Sequence, residues 1–452
     1  MTIASEEKSE EKPVRRGGVR AEERALAPDL ARGLMLLLIV LSNTAFHLWA
    51  ARRGPSGWQP VDGSWLDHAV QFTMIIVLDL RVYPLFAFLF GYGMMQLFLR
   101  QTAAGNSERG AARILRRRSL WLIVIGLLHS TLLMAGDIVG YYGVLSLVLG
   151  LVFLRRSERA LKRWICVGAT LLVFFAAQPV VSPLLRGELG TLGDAGAEPG
   201  FMAYAAQEES WLTAAGTRLE TGLFVTFLAS SLALVGGGYV VFLLGFWAAR
   251  RRVLEEPGRH RTLLRRTAVI GITVGWLGAL PTALAHVGAL DVPADAQSEE
   301  GALTLLRDVT GNAAGLGYVA AVALFAHWWT SRKAEAEAEA GRGPVAVTAA
   351  SAVGAVSAVG AVSAVGAAVA AVGKRSLSCY LAHSLVFAPV LAAWGLGLGE
   401  HLSSWTMALF AVGVWLLTVA GAYALERAGR RGPAEAVLRR LMYGTAQGKA
   451  GG

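Results

Sequence analysis

Charge is scarce in this sequence. Asp, Glu, Lys and Arg make up 16% of its 452 residues and hydrophobic residues 54%, whereas an average soluble domain carries about 25% charge. That argues against the two or three soluble domains that the length alone would suggest. Cysteine is nearly absent: Cys166 and Cys379 are the only two, and both fall inside apolar runs. A disulfide framework and zinc-ligand spacing are thereby excluded, leaving both thiols as small packing residues. No phosphate-binding loop, metal-ligand cluster or nucleophile elbow occurs, so neither a metal nor a bound cofactor is expected. A cleavable signal is missing too. Residues 1–28 are polar, mixed in charge and too long for an n-region, and no small-x-small site follows the first apolar run. The first span is expected to persist as an anchor, with Glu6–Glu11 in a disordered tail.

What is present is apolar sequence in long runs, with a mean hydropathy of +0.49. The runs fall at about 30–50, 66–99, 117–134, 138–154, 162–181, 222–249, 267–287, 311–330, 376–394 and 405–425, and about 20 residues suffice to cross a bilayer as a helix. The second run is too long for one span. Asp79, Arg81 and Pro84 interrupt it, which predicts a short interfacial piece followed by a helix from about Tyr83 to Leu99. The fold class expected is an all-α polytopic bundle of about ten spans.

The net charge of +10 sits in short loops, which argues for membrane orientation and against nucleic acid. Arg109–Arg118, Arg155–Arg163, Arg250–Arg266 and the tail from Arg427 are basic. The alternate loops carry Glu188, Asp194, Glu198, Glu208 and Glu209, then Asp291, Asp295, Glu299 and Glu300. This alternation puts both termini in the cytoplasm of a cell whose plasma membrane holds the chain. The partner it implies is the lipid bilayer. The chain divides into a tail (1–28), the first eight spans (29–330), a low-complexity cytoplasmic linker (331–373), the last two spans (374–426) and a basic tail (427–452). The Ser-Ala-Val-Gly-Ala-Val repeats within 345–372 are expected on the cytoplasmic side or against the bundle, since another crossing would invert the basic tail.

Ionisable groups inside spans are expensive and therefore candidates for function. At 100° per residue, Asp29, Arg32, Asn43 and His47 share one stripe of the first helix, rising about 27 Å at about 1.5 Å per residue. It must face other helices or water. Structural pairing of Asp29 with Arg32, and Asn43 as interhelical glue, weigh equally with a functional role. His129 precedes the turn at Gly136-Asp137, and Asp79 and Arg81 are expected near the same face. A neutral imidazole there could act as a general base; a satisfied packing histidine is the bland alternative. Ser376, Tyr380, His383 and Ser384 share a helical face near the C-terminus, where hydrogen-bonded packing is again the alternative. Gly91-Tyr92-Gly93 reads as close helix packing, not an ion filter. Gly236-Gly237-Gly238 could unwind a helix or permit tight packing.

The phrase Pro28-Asp29-Leu30-Ala31-Arg32-Gly33, opening a span that ends in Asn43, resembles the YeiB-like proteins, bacterial multi-pass proteins catalogued as domain of unknown function 418. So do Leu89-Phe90-Gly91-Tyr92-Gly93, Gly126-Leu127-Leu128-His129 leading to Gly136-Asp137-Ile138, Gly373-Lys374-Arg375-Ser376-Leu377-Ser378-Cys379-Tyr380-Leu381, and Gly432-Pro433-Ala434-Glu435 with Leu438-Arg439-Arg440. The ordered set covers most of 24–445. The wider group is similar to transmembrane acyltransferases of the heparan-α-glucosaminide type. Those share the Asp-x-x-Arg-Gly opening with a later Asn (Asp29, Arg32, Gly33, Asn43) and a Ser…Tyr…His spacing (Ser376, Tyr380, His383). The YeiB-like pattern usually has Gln at His383. The catalytic histidine of the acetyltransferases precedes a Ser-Trp; here Ser64-Trp65 is flanked by His47 and His68, so that role does not transfer.

The resemblance implies acyl transfer, with acyl-CoA as co-substrate from the cytoplasm and a hydroxyl or amine of an extracytoplasmic or lipid-linked glycan as acceptor. His383 or His129 would be the base, Asp137 or Asp79 would orient the imidazole, and Arg32 would hold the CoA end. A small-solute transporter, favoured by the polar interior and the Gly-rich sixth span, and a non-catalytic scaffold or sensor are the alternatives.

Overall fold

The computed structural model describes residues 26–54, 57–186, 200–298, 301–340 and 364–443, and every regular element among them is helical. The acidic Glu188, Asp194, Glu198, Glu299 and Glu300, the terminal residues 1–25 and 444–452, and repeat residues 341–363 lie outside the described residues.

In chain order the helices are α1 (Leu26–Ser42), α2 (Trp65–Val77), α3 (Val82–Ala103), α4 (Glu108–Leu132), α5 (Ile138–Phe153), α6 (Glu158–Arg186), α7 (Trp211–Leu223), α8 (Ser230–Val235), α9 (Val240–Arg250), α10 (Arg261–His286) and α11 (Ala294–Gln297). They continue as α12 (Ala302–Ala340), α13 (Ala364–Lys374), α14 (Ser376–Leu391), α15 (Ser404–Arg427) and α16 (Pro433–Tyr443). Among the described residues, seven stretches are long and apolar enough to cross a membrane, with α5, α9, α13 and α14 as shorter apolar helices. Leu128, Phe174, Leu232, Val269, Leu277 and Leu417 stand exposed around the outside. Large apolar residues so placed suit a hydrocarbon solvent, in which backbone groups must be satisfied within each helix.

Short polar signals set the helix ends. Ser64 caps α2 in a reciprocal box with Asp67. Ser107 caps α4, Asp137 caps α5 and Ser210 caps α7, each accepting from a backbone N–H in the first turn. The break expected near Asp79 is real: α2 ends at Val77, Leu80 adopts φ 61°, and α3 starts at Val82. The sixth apolar run is also broken. Between α7 and α8 lies a π-helical turn, Phe224–Ala229, and the glycine triplet unwinds the chain between α8 and α9, with Gly237 at φ 86°.

Helices α3 and α9 pack so closely that a Cβ on Gly91 would strike the Phe242 carbonyl. Gly91-Tyr92-Gly93 is thus a packing surface. Residues 331–340 continue α12 as helix, and α13 lies against α1, with Val369 over Gly33 and Gly373 over the Asp29 backbone. Apolar Val and Ala with interspersed Gly give α13 a thin face that fits where a bulkier helix would not. The tail after Arg427 also docks, as α16 buries Leu438 and Met442 and packs on α4.

The basic end of the bundle is closed by a clasp. Glu426 takes Lys374 Nζ at 2.5 Å and Arg375 Nη1 at 2.7 Å. Glu435 accepts from the Leu377 and Ser378 amides at 2.8 and 3.1 Å, satisfying orphan donors of the first turn of α14.

Candidate active site

Close contact between α4 and α5 builds the centre of the site. A Cβ on Gly126 would collide with the Gly140 backbone, so two glycines bring the last turns of α4 against the first turn of α5. His129 is thereby delivered to Asp137, with Nδ1 2.8 Å from Oδ1 and both side chains buried. Tyr380, from α14, donates to the same oxygen at 3.2 Å, and its ring lies 5.1 Å from the imidazole. The other oxygen, Oδ2, accepts from Gly140 N at 2.7 Å. A carboxylate surrounded by donors stays an acceptor, which assigns the His129 proton to Nδ1 and the lone pair to Nε2. That Nε2 is buried without a hydrogen-bond partner among the described residues.

A second unpartnered group approaches the same turn. The π-helical turn swings Thr226 inward, and a Cβ on Gly140 would touch its Oγ1. The hydroxyl is buried and accepts or donates no bond among the described residues. π-turns recur at functional positions because the additional residue re-aims a side chain.

On the far side of Tyr380, a cavity of about 10 Å³ is lined by Asn43, Tyr380, His383 and Ser384, with Ile39, Met134 and Phe387. That is about the room one water molecule needs. His383 Nε2 is 3.2 Å from Thr418 Oγ1 on α15. His129 does not line this cavity; Tyr380 is the residue common to the cavity and to the Asp137–His129 pair.

The remaining residues expected from the sequence fall as follows. Within the stripe on the first helix, Arg32 lies against Gly93 of α3 and Asn43 and His47 meet α14, although the α-helix stops at Ser42 and a 3-10 turn, Thr44–His47, continues it. Asp29 and Arg32 form an ion pair at 3.1 Å near the basic end. Asn43 reaches the cavity, and His47 packs edge-on against Phe387 at 5.4 Å with neither ring nitrogen bonded among the described residues. Ser376 is the first residue of α14, a turn away from Tyr380.

Asp79 and Arg81 do not join His129 and Asp137. Asp79 holds Gln59 Nε2 at 3.0 Å and faces Arg307 at 4.0 Å, while Arg81 donates to the Gly275 carbonyl at 2.9 Å. The left-handed turn at Leu80 directs both toward α10 and α12. Tyr83 is 37% exposed, and its backbone carbonyl accepts from the Tyr142 hydroxyl at 2.9 Å.

Loops cover this end. Phe46 stacks on Tyr204 at 4.0 Å and 11° and meets Trp58 edge-on at 5.6 Å. Trp49 donates to the Leu391 carbonyl at 3.1 Å. Arg53 ties the cover to the 3-10 turn after α1 through the Ala45, Leu48 and Trp58 carbonyls; burial lowers its pKa to about 10, Asp62 opposing, and it remains a cation. Arg218 is a fully buried cation that donates to the Thr131 and Leu132 carbonyls at 3.1 and 3.4 Å, closing the end of α4. Thr226, Arg307 and Thr418 had no distinguishing signal in the sequence. Arg218 had one, as the one basic residue within the apolar stretch 211–249.

These features define a multi-pass α-helical membrane protein with a buried carboxylate–imidazole pair. Residues 248–344 and 343–445 match the family described as a protein of unknown function, DUF418. The chain is also similar to the "Uncharacterized protein YxaH" of Bacillus subtilis (strain 168), at 23% identity over 274 residues, or 56% of this chain. The matched region spans 64% of that relative's length. No solved structure matches. The family match takes in Tyr380, His383, Glu426 and Glu435, and lies outside His129 and Asp137.

Proposed function

We propose that the chain transfers an acyl group across the membrane to a hydroxyl or amine, with His129 as general base. The observation that carries this reading is the His129 imidazole bonded at Nδ1 to Asp137 Oδ1 at 2.8 Å with Nε2 unpartnered. An imidazole held in that tautomer by a carboxylate is the arrangement that activates nucleophiles in acyl transfer. In the reaction, Nε2 takes the proton of an acceptor O–H or N–H as that atom attacks the thioester carbonyl of an acyl-CoA. The tetrahedral oxyanion collapses, the C–S bond breaks, and the CoA thiolate leaves with the proton returned by His129.

The donor enters from the basic end, which the positive-inside rule assigns to the cytoplasm. The acceptor enters from the other end, past Tyr83 and the tyrosines around it. Hydroxyl-bearing aromatic walls suit a glycan or a lipid-linked sugar, offering stacking and hydrogen bonds together. Access requires helices to separate, because His129 Nε2 is buried.

One observation favours transport instead. The helix run α7–α9 is interrupted twice, by the π-turn and by Gly236-Gly237-Gly238, and broken helices line solute sites in carriers. Purified protein in sealed vesicles, given radiolabelled acetyl-CoA outside and candidate acceptors inside, tests the proposal. Covalent label on an acceptor, lost in His129→Ala, is the expected result. Solute movement with no covalent change would overturn acyl transfer in favour of a carrier.

A further inference from the structure

The contact that joins α4 to α5 does not extend to the basic end. The two helices touch through Gly126 and Gly140, then Ile123 and Gly143, then the Ser119 and Ser146 hydroxyls at 2.7 Å. Beyond that serine pair they part, leaving a cleft of about 570 Å³, within the range of sites that hold whole ligands. From Ser146 to the end of α5 at Phe153 is seven residues, so the cleft is about 10 Å deep at about 1.5 Å per residue.

Its walls change character along that depth. Its apolar lining is Leu147, Gly150 and Leu151; Arg116, one turn from Ser119, stands partway along, and Arg155 and Arg156 with Glu108 stand at the mouth. Glu108 meets Arg155 at a long 3.9 Å, which leaves the cleft with three cations and one anion. Arg116 makes no ion pair among the described residues. The backbone that carries Arg155 and Arg156 is fixed, because Arg250 donates to the Leu154 and Arg156 carbonyls at 3.1 and 2.8 Å. Leu151 is 66% exposed, so the cleft is open on its hydrocarbon side as well as at its mouth.

We propose that this cleft binds an anionic phospholipid of the inner leaflet, its phosphate on Arg116, Arg155 and Arg156 and the start of one acyl chain along Leu147 and Leu151. A cationic rim above an apolar, laterally open wall matches an amphiphile with a phosphate head, since guanidinium groups pair with phosphate through two parallel bonds. Basic pockets between helices on the cytoplasmic side bind anionic headgroups by the same chemistry. The inference goes beyond acyl transfer and is independent of it.

The full chain in a neutral detergent would be titrated with short-chain phosphatidylglycerol, phosphatidylcholine, inorganic phosphate and palmitoyl-CoA, with bound molecules counted by native mass spectrometry. Phosphatidylglycerol is expected to bind at least about tenfold more tightly than phosphatidylcholine and phosphate. Arg116→Ala with Arg155→Ala, both at exposed positions, is expected to remove that preference without altering the melting temperature in detergent alone. Leu147→Trp, which fills the cleft and leaves the charges in place, should also abolish binding. Equal binding of the two lipids, an unchanged preference in the double variant, or a preference for palmitoyl-CoA over phosphatidylglycerol would each overturn the proposal. The acyl-transfer assay with His129→Ala is unaffected by any of these results.

Discussion

Tyr380 of α14 and His129 of α4 bond the same carboxylate oxygen of Asp137, at 3.2 and 2.8 Å. Because Gly140 occupies the other oxygen, the carboxylate has a capping role and an orienting role on separate atoms. Asp137→Asn can keep the first while disturbing the second. Folded yield of Asp137→Asn should therefore stay near wild type, while transfer falls by about 10²–10⁴-fold, the usual contribution of a positioned base. Asp137→Ala loses the cap as well and should melt earlier by about 1 kcal/mol or more. A thermal-shift measurement beside the vesicle assay reads both.

His383 Nε2 sits 3.2 Å from the Thr418 hydroxyl. A glutamine amide can replace that bond. His383→Gln is expected to keep transfer within about threefold of wild type, given the small net worth of one hydrogen bond, while His129→Gln abolishes it. Loss of transfer in both would return His383 to the list of proton-transfer groups.

The Asp29–Arg32 pair lies beneath the backbone contact of Gly373 with Asp29. Charge reversal of either residue alone leaves a buried like-charge pair, a loss of about 3–5 kcal/mol. The double swap, Asp29→Arg with Arg32→Asp, should recover part of the folded yield measured by size-exclusion chromatography in detergent. Two single variants with wild-type yield would show the pair to be solvated.

Glu435 holds two amides and the Ser378 hydroxyl at the start of α14. Glu435→Ala should destabilise by about 1–2 kcal/mol and free α16 from the bundle, seen as faster proteolysis after Arg430. Glu435→Gln, which can still accept, should lose less.

Sidedness is checked by single cysteines in a variant lacking Cys166 and Cys379. A membrane-impermeant maleimide added to intact cells is expected to label Glu208→Cys and to miss Arg259→Cys. Label at position 259 would invert the orientation read from the basic loops.

The helices were legible because hydrophobic length is written directly in composition, and the break at Asp79–Pro84 because charge and proline cannot sit quietly in a span. The His129–Asp137 pair was legible in outline, since a histidine and a capping aspartate eight residues apart flank one turn. The separation of Asp79 and Arg81 from that pair was not, because a single positive φ at Leu80 decides it. Thr226 gave no warning: its inward position depends on a π-turn that no local propensity marks. The contacts of Glu426 and Glu435 were not legible, because their partners, Arg375 and Ser378, lie 51 and 57 residues away in sequence.

The turn at Phe224–Ala229 carries a consequence for how this chain can change. A π-turn is an α-helix with one residue in excess, retained although the regular hydrogen-bond pattern would be more stable. Deleting one lipid-facing residue there, such as Leu228, would restore α-helical register and raise the melting temperature. It would also rotate Thr226 away from Gly140 and shift every residue before it by about 100°. Selection for stability alone would favour that deletion, so the bulge sets stability against the placement of Thr226. A thermostabilised variant of this protein should therefore be judged first by whether it still contains six residues between Leu223 and Ser230.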